Sequence, residues 1–340
     1  MLPPGGDDMN AAQVNAPAML VSFGLSALLV TVVGRPMPQG ALERPREVSS
    51  EGSLEDARGR SVPAGAYRRI VSLHAVADAV LLELVEPERL VGVSAHTLDK
   101  NPIGYRFGTA RGIPRSKDVE AILSLRPDLV VVSKFAGEAY LARLRELGVQ
   151  VFDLGEMRGV QDTVAHIQTL GALLRQPDRA TRIEDDFLRN LAALRAEVGS
   201  RDQPWGIYLS VLGDSLFGGT QGTSYADLLH FGGIRDLAAE RGFTGWPRYS
   251  PEQLIDLNPP VIVTSKGRTT LICGHALLGR LSACGEGGRV VEMPESNHSD
   301  PGLGLVDAAQ DLQTLLYGVE PGGTSSALGR KRTIAPRTAK

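Results

Sequence analysis

Two glutamates occupy the same position in two copies of one sequence pattern. Residues 118–134, DVEAILSLRPDLVVVSK, align without a gap onto residues 250–266, SPEQLIDLNPPVIVTSK. Glu120 and Glu252 each stand two positions after an Asp or Ser, residue types that favour helix N-caps. A carboxylate in a first helical turn either stabilises the helix dipole by about 0.3–1 kcal/mol or makes charge-assisted hydrogen bonds to a cationic partner. The matched positions favour a partner that contacts both.

The residues around each glutamate predict a short helix followed by a buried strand. Pro127 and Pro259 end the helical pattern, because proline lacks the backbone N–H and its ring clashes with the preceding turn. A β-branched apolar run follows each proline, as is typical of strands. The copies are too far apart for a solenoid repeat. They predict two similar lobes with a cleft between them.

Strand and helix patterns alternate on both sides of a long helical segment, which predicts parallel sheets covered by helices. The helical run that starts at Pro177 lasts about twenty residues and would rise on the order of 30 Å, enough to join two lobes. The predicted fold class is α/β, with two Rossmann-like lobes of mostly parallel sheet joined by one long helix. Its parts are an N-terminal lobe (67–158), a helical connection (159–199) and a C-terminal lobe (200–318).

Both ends of the chain have a different composition. Residues 1–66 are rich in Pro, Gly, Ser and charge, and we expect no folded structure there apart from the apolar run at about 16–33. That run is about the minimum for spanning a bilayer, but acidic rather than basic residues precede it. It predicts an export signal or a retained anchor; an incidental apolar linker and a misplaced start codon are the alternatives. Residues 319–340 predict a disordered basic tail.

Composition and motifs exclude several function classes. The formal net charge is −3 and only 5% of residues are aromatic, which argues against nucleic-acid binding. The six histidines are scattered without metal-ligand spacing, so we expect no bare metal site and no cofactor. Catalytic motifs such as GxSxG and HExxH do not occur, so we expect no enzyme.

The chain has two cysteines, Cys273 and Cys284, with ten residues between them. This spacing fits neither a zinc site nor a CxxC redox pair. A structural disulfide and two separate buried thiols are both compatible with it. Export to an oxidising compartment would favour the disulfide.

Four ordered segments resemble the helical-backbone (class III) periplasmic substrate-binding proteins, the cobalamin, iron–siderophore and haem receptors of ABC importers. The resemblance spans about residues 69 to 318 and is weak for the ligand. Its segments are RIVSLHAVADAVLLELVEPERLVGV (69–93), DVEAILSLRPDLVVVS (118–133), LRELGVQVFDL (144–154) and GFTGWPRYSPEQLIDLNPPVIV (242–263).

The resemblance implies a monomeric receptor, in the periplasm or on the outer face of the cytoplasmic membrane, that captures an iron chelate, haem or cobalamin between its lobes. It also implies delivery to an ABC importer, with Glu120 and Glu252 pairing with arginines of the membrane subunits. A membrane-tethered sensor of the same fold is one alternative. A metal-cluster or chelatase-type enzyme is another, although it would need clustered cysteine or histidine ligands.

In such folds the ligand contacts loops at the carboxyl ends of strands. Histidine or tyrosine there could ligate iron or cobalt, arginine could neutralise an anionic ligand, and aromatic rings could form an apolar wall. The same residues would also suit ordinary loop packing or a solvated face. The candidates are His74, Tyr105, Arg106, Arg111, Arg115, Phe217, Trp246 and Tyr249.

Overall fold

The computed structural model describes residues 52–114, 118–134, 136–295 and 302–318. Its first element is an antiparallel hairpin of β1 (Ser53–Glu55) and β2 (Ser61–Pro63). The prediction that the first 66 residues lack folded structure is therefore wrong for residues 52–66. The apolar run at 16–33 and the basic tail at 319–340 lie outside the described residues.

Charges tie this hairpin to the rest of the N-terminal lobe. The buried Asp56 carboxylate accepts the backbone N–H groups of Arg58, at 2.8 Å, and Arg60, at 3.0 Å. The Arg58 guanidinium donates to the buried Asp153 carboxylate at 2.5 Å and to the Ala136 carbonyl at 2.7 Å. Arg58 and Asp153 are 95 residues apart. The polar and charged hairpin segment is therefore held in place by a residue that is distant in the sequence.

The sheet of the N-terminal lobe is entirely parallel, in the order β5-β4-β3-β6-β7. The first strand, β3, lies in its centre, so the chain moves outward to either side and the direction switches between β3 and β6. The strands are β3 (Ile70–Ser72), β4 (Leu90–Ser94), β5 (Arg111–Ile113), β6 (Leu129–Val132) and β7 (Gln150–Asp153). The helices are α1 (Ala75–Leu84), α2 (Ala95–Lys100), α3 (Val119–Ser124) and α4 (Glu138–Glu146).

Two helices connect the lobes, α5 (Val160–Leu173) and α6 (Pro177–Gly199). The 23 residues of α6 give it a length of about 34 Å. Near its start, Arg179 lies 3.8 Å from Glu86 of the N-terminal lobe. Near its end, the carbonyl of Leu194 accepts a hydrogen bond from Gln313 of the C-terminal lobe at 3.0 Å. This helix therefore contacts both lobes.

The C-terminal lobe has a mixed sheet in the order β11-β9-β8-β12-β13, with β10 beside β8. β9 returns antiparallel to β8, while β12 and β13 run parallel to it. The strands are β8 (Trp205–Leu212), β9 (Ser215–Gly219), β10 (Arg235–Asp236), β11 (Arg248–Tyr249), β12 (Val261–Ser265) and β13 (Arg289–Met293). The helices are α7 (Ser224–Phe231), α8 (Leu237–Glu240), α9 (Pro251–Leu257), α10 (Thr269–Cys273) and α11 (Leu305–Tyr317). The predicted α/β fold class is confirmed.

Candidate functional site

The starts of helices from both lobes meet at the carboxyl edges of the two sheets. α1 follows β3 and α5 follows β7, while α7 and α11 come from the C-terminal lobe. Between them lies a cavity of 10 Å³, room for about one water molecule. We call it the cleft floor. It is lined by Val76, Met157, Gly159, Val160, Thr163, Ser224, Gly302 and Leu305.

One hydrogen bond crosses the cleft floor. The backbone N–H of Val160, at the start of α5, donates to the Asp227 carboxylate on α7 at 2.8 Å. Burial raises the pKa of Asp227 to about 7; the Val160 N–H opposes this rise and the nearby Asp162 carboxylate adds to it. Asp227 is half-buried, and Asp162 is itself paired with Arg158 at 3.0 Å. Both protonation forms of Asp227 are therefore populated near neutral pH.

His74 is the sequence-predicted ligand candidate that the structure places at the cleft side of the N-terminal lobe. It follows β3 and is the N-cap residue of α1, two positions before Val76 of the cleft floor. This is the point where the strand order of the sheet reverses, a frequent ligand position in open α/β sheets. His74 therefore lies at the carboxyl edge of the N-terminal sheet, and its side chain is half-buried.

Charged side chains at the same edge of the N-terminal lobe are paired with one another. Lys134 follows β6 and forms an ion pair with Glu156. Arg158 lies 3.4 Å from Glu156 and 3.0 Å from Asp162. Because each of these charges has a partner in its own lobe, this part of the rim does not present an isolated cationic patch.

Three predicted ligand residues lie at the opposite edge of the N-terminal sheet. Arg106 forms a 2.6 Å ion pair with Glu83 in the last turn of α1, and Tyr105 lies in the same short turn as Arg106. Arg111 begins β5, and its guanidinium lies 3.3 Å from the Ser124 hydroxyl at the end of α3. The predicted cleft position of these residues is therefore wrong. The physical reason is α2, which carries the chain from the carboxyl edge back across the sheet before these residues.

The remaining candidates have different surroundings. Arg115 lies outside the described residues. Tyr249, predicted as a ligand contact, instead packs in the core of the C-terminal lobe with 4% of its surface exposed, so little of it is open to a ligand. Phe217 is half-buried, and the Arg248 guanidinium lies 6.0 Å from its ring centroid. The structure therefore brings Phe217 and Tyr249 to adjacent strands, β9 and β11.

Trp246 is exposed over 56% of its surface and belongs to the loop before β11. Two backbone hydrogen bonds, from Thr220 to Gly245 at 3.0 Å and from Gly245 to Gln221 at 2.9 Å, join that loop to residues 220–223. Those residues lead directly to Ser224 at the cleft floor. Trp246 thus stays a candidate for an apolar contact at the side of the C-terminal lobe.

Glu120 and Glu252 lie in the first turns of α3 and α9, and both are exposed. Each helix runs antiparallel to the strand that follows it, so both first turns are at the carboxyl edge of their sheets. The pKa of Glu252 is lowered, first by its own backbone N–H and then by the Ser250 hydroxyl. Two carboxylates are therefore presented to solvent on the edges that flank the cleft floor.

A disulfide joins Cys273 at the end of α10 to Cys284, with a Cα–Cα distance of 5.5 Å. Both residues pack against the buried core of the C-terminal lobe. The bond anchors the crossover between β12 and β13, which otherwise contains only short helical turns.

A second, larger cavity of 760 Å³ lies along β13 and the last residues of α11. Its walls, residues 288–292 and 315–318, include the start of β13 and the end of α11. That position is at the amino edge of the sheet, opposite the cleft floor. This groove is larger than the cleft floor, but it lies away from the carboxyl ends of the strands and from the exposed Glu120 and Glu252.

Within the described ranges, no three His, Cys, Asp or Glu side chains are grouped so that they could hold a metal ion. Across those same ranges, no helix has both the length and the apolar character needed to cross a membrane.

The cleft floor contains residues that sequence patterns did not select. These are Met157, Gly159 and Ser224, which lie at or just before helix starts. At such positions a sequence pattern does not distinguish a residue that lines a ligand site from one that only caps the helix. A detectable signal existed at Gly159, a glycine at a helix N-cap after a strand. Its partner Asp227 lies 67 residues after Val160, and no local pattern links the two.

Comparison with known proteins reveals similar sequences with named ligands. The chain is 25% identical over 252 residues to a cobalamin-binding protein of Halobacterium salinarum, covering 73% of this chain and 68% of that protein. It is 23% identical over 252 residues to YvrC of Bacillus subtilis, an uncharacterized ABC transporter substrate-binding lipoprotein, covering 72% and 78% of the two chains. The periplasmic heme-binding protein RhuT from Roseiflexus sp. RS-1 has a similar fold, with a TM-score of 0.62, 22% identity, and 73% and 98% coverage.

The family profile agrees with these relatives. The profile described as periplasmic binding protein matches residues 70–295, which is more than half of the chain. Those residues include both sheets, the connecting helices and the cleft floor up to Ser224. The chain therefore belongs to the periplasmic binding protein family, whose members are ligand-binding proteins of transport systems rather than enzymes.

Proposed function

We propose that this protein captures an iron chelate, haem or cobalamin between its lobes and delivers it to an ABC importer. The observation that carries the proposal is the pair of exposed glutamates, Glu120 and Glu252, at matched positions beside the cleft. Among the described residues, no lysine or arginine forms a salt bridge with either carboxylate. Both are therefore available to arginines of a membrane subunit, with which they would form charge-assisted hydrogen bonds at two separate points.

The cobalamin-binding and heme-binding relatives support this ligand class, together with the local chemistry. His74 offers an imidazole for a metal centre and Trp246 an exposed indole for a flat apolar ligand. Sites for small molecules usually have volumes of about 300–1,000 Å³. The cleft floor measures 10 Å³, so the ligand would sit above it or the lobes would separate around it.

We place the protein in the periplasm or on the outer face of the cytoplasmic membrane, as a monomer that meets the importer's membrane subunits. The disulfide between Cys273 and Cys284 supports an oxidising compartment, because such bonds persist mainly outside the cytoplasm. Family membership supports the same location.

Fluorescence titration of the purified full chain tests the ligand. Trp205 and Trp246 are the chain's two tryptophans, and Trp246 is exposed. Cyanocobalamin, haemin and ferrichrome are the probes. We expect one of them to change the fluorescence with a dissociation constant in the micromolar range or tighter. Absence of binding by all three would contradict the proposed ligand class.

A further inference from the structure

The start of the connecting helix α5 is capped by a residue from the C-terminal lobe. The first N–H groups of a helix have no partner within the helix, and a side chain at the N-cap usually accepts one of them. The N-cap residue of α5 is Gly159, which has no side chain. Asp227, on α7 of the C-terminal lobe, instead accepts the Val160 N–H at 2.8 Å.

Gly159 is required by this contact and not by its backbone conformation. Its φ of 173° is extended, a conformation that every residue type adopts. A Cβ atom at Gly159 would, however, lie 2.2 Å from Oδ2 of Asp227. The absence of a side chain at Gly159 thus lets the Asp227 carboxylate reach the helix.

The hydrogen bond belongs to the part of the molecule that must move if the lobes separate. α5 packs with α1 of the N-terminal lobe, while α7 packs with α11 and β8 of the C-terminal lobe. The neighbouring contact across the floor is apolar and tight: a Cβ atom at Gly302 would lie 2.7 Å from Val76. With a cavity of 10 Å³ between these contacts, the floor is closed.

We infer that the hydrogen bond between Val160 and Asp227 is a latch that holds the two lobes together across the cleft floor. It keeps the lobes in the narrow arrangement and limits how often they separate. Its effect on ligand entry rests on the proposed function, whereas the latch itself rests only on the contact between α5 and α7. The oxygen of a carboxamide, as in asparagine, can accept the same N–H as the Asp227 carboxylate. Burial raises the pKa of Asp227 to about 7, so the uncharged carboxyl form is populated near pH 7 as well.

Residue-resolved amide exchange by NMR on the full chain tests the latch without any ligand. Because Val160 begins its helix, protection of its amide reports on Asp227 and not on a helical hydrogen bond. We expect Asp227→Ala to speed exchange at Val160 by about tenfold or more, and Asp227→Asn to keep it near the wild-type rate. Asp118→Ala is the matched control, since Asp118 accepts the Ala121 N–H within its own lobe at 3.0 Å. It should leave Val160 unchanged.

Gly159→Ala provides a second route to the same state, which matters if Asp227→Ala folds poorly. The added methyl group displaces the carboxylate, so exchange at Val160 should rise as it does in Asp227→Ala. The double variant should then show no further increase, because both changes remove one interaction. Unchanged exchange in Asp227→Ala, loss of protection in Asp227→Asn, or additive effects in the double variant would each overturn the latch.

Stopped-flow association with whichever of cyanocobalamin, haemin and ferrichrome binds measures the consequence. An open state that becomes about tenfold more populated should speed association by a similar factor in Asp227→Ala, while Asp227→Asn and Asp118→Ala stay near wild type. An equal association rate in Asp227→Ala would overturn the gating role. If none of the probes binds the wild type, the proposed ligand class fails while the exchange result still decides the latch.

Discussion

The two copies of the repeated unit, 118–134 and 250–266, follow the same course with different local contacts. In the first copy Asp118 caps α3 through one hydrogen bond to a backbone N–H. In the second copy Ser250 and Gln253 cap α9 reciprocally, each side chain bonding to the other residue's backbone. The second helix therefore has two capping bonds where the first has one.

The copies also differ at the turn that follows each helix. Arg126 and Asn258 occupy the same position, and both are left-handed, with φ of 47° and 41°. Asn tolerates this conformation better than Arg because its short polar side chain can hydrogen-bond locally. Asn258 also accepts the N–H of Ser282, 24 residues later in the chain, at 2.8 Å. One copy thus supports its turn with a side chain, and the other imposes the same turn on an arginine.

This difference separates stability from function. The capping residues and the turn residues differ between the two copies, and both sets form the same helix and turn. Glu120 and Glu252 are identical and exposed in both. A residue kept by both copies while its structural neighbours vary is better explained by a shared partner than by local stability.

Reversing the charge of both glutamates should have the largest effect of the changes considered for the two copies. The double variant Glu120→Arg, Glu252→Arg replaces both carboxylates by guanidinium groups. Each would then repel the arginine of the membrane subunit with which the glutamate would pair. We expect importer-dependent uptake of the bound ligand to fall at least about tenfold, with ligand affinity nearly unchanged. Uptake by cells or proteoliposomes containing the importer measures this. Glu146→Arg, another exposed glutamate, is the control, and an equal loss there would argue against specific docking.

Asn258→Ala should produce the larger stability effect at the turns. It removes the hydrogen bond to Ser282 and places a less tolerant residue in the left-handed region. We expect a loss of about 2 kcal/mol in the free energy of unfolding, measured by denaturant titration. Asn258→Gly keeps the backbone freedom but not the hydrogen bond, so it should recover about half of the loss. Equal stability of Asn258→Ala and wild type would show that the turn is held from elsewhere.

Ser250→Ala should cost about 1 kcal/mol, the usual effect of losing an N-cap side chain. Gln253→Ala in the same chain removes the reciprocal bond and should add to the loss. Asp118→Ala, which removes the single cap of the first copy, should approach the effect of Ser250→Ala alone. Unfolding curves of the three variants decide the order. A first-copy loss that exceeds the double change in the second copy would contradict the assigned caps.

The smallest effect expected is a gain. Arg126→Asn makes the first turn resemble the second and should raise the free energy of unfolding by about 0.5–1 kcal/mol. The same denaturant titration measures it. Arg68→Asn, at another exposed arginine, is a control without a left-handed backbone. A loss of stability in Arg126→Asn would mean that the arginine side chain has a role beyond the turn.

Periodic features of the chain were predictable from the sequence. The repeated unit, the alternation of strands and helices and the long run from Pro177 depend on neighbours within one element, and the structure has them at the expected places. The capping roles of Asp118 and Ser250 follow from the same local rules. These are cases in which local propensity and the tertiary fold agree.

Features that depend on distant partners were not predictable. The hairpin β1–β2 needs Asp153, and the cap of α5 needs Asp227, each far away in the chain. Tyr105, Arg106 and Arg111 were placed at the wrong edge because sequence spacing does not show that α2 reverses the chain direction before them. Whether the ring of Tyr249 packs inward could not be inferred from a two-residue strand, which is too short to show alternation.

The hairpin β1–β2 sets an order of assembly for a chain that emerges from its N-terminus. Arg58 of the hairpin bonds Asp153, and Ala64 just after it bonds Arg175. These pairs are 95 and 111 positions apart, so the early-made residues wait for later ones. Once residue 175 has emerged, the first half can close on itself while the second is still being synthesised or translocated. The connecting helix α6 waits for a still later partner, because Gln313, which donates to the Leu194 carbonyl, lies 119 residues after Leu194.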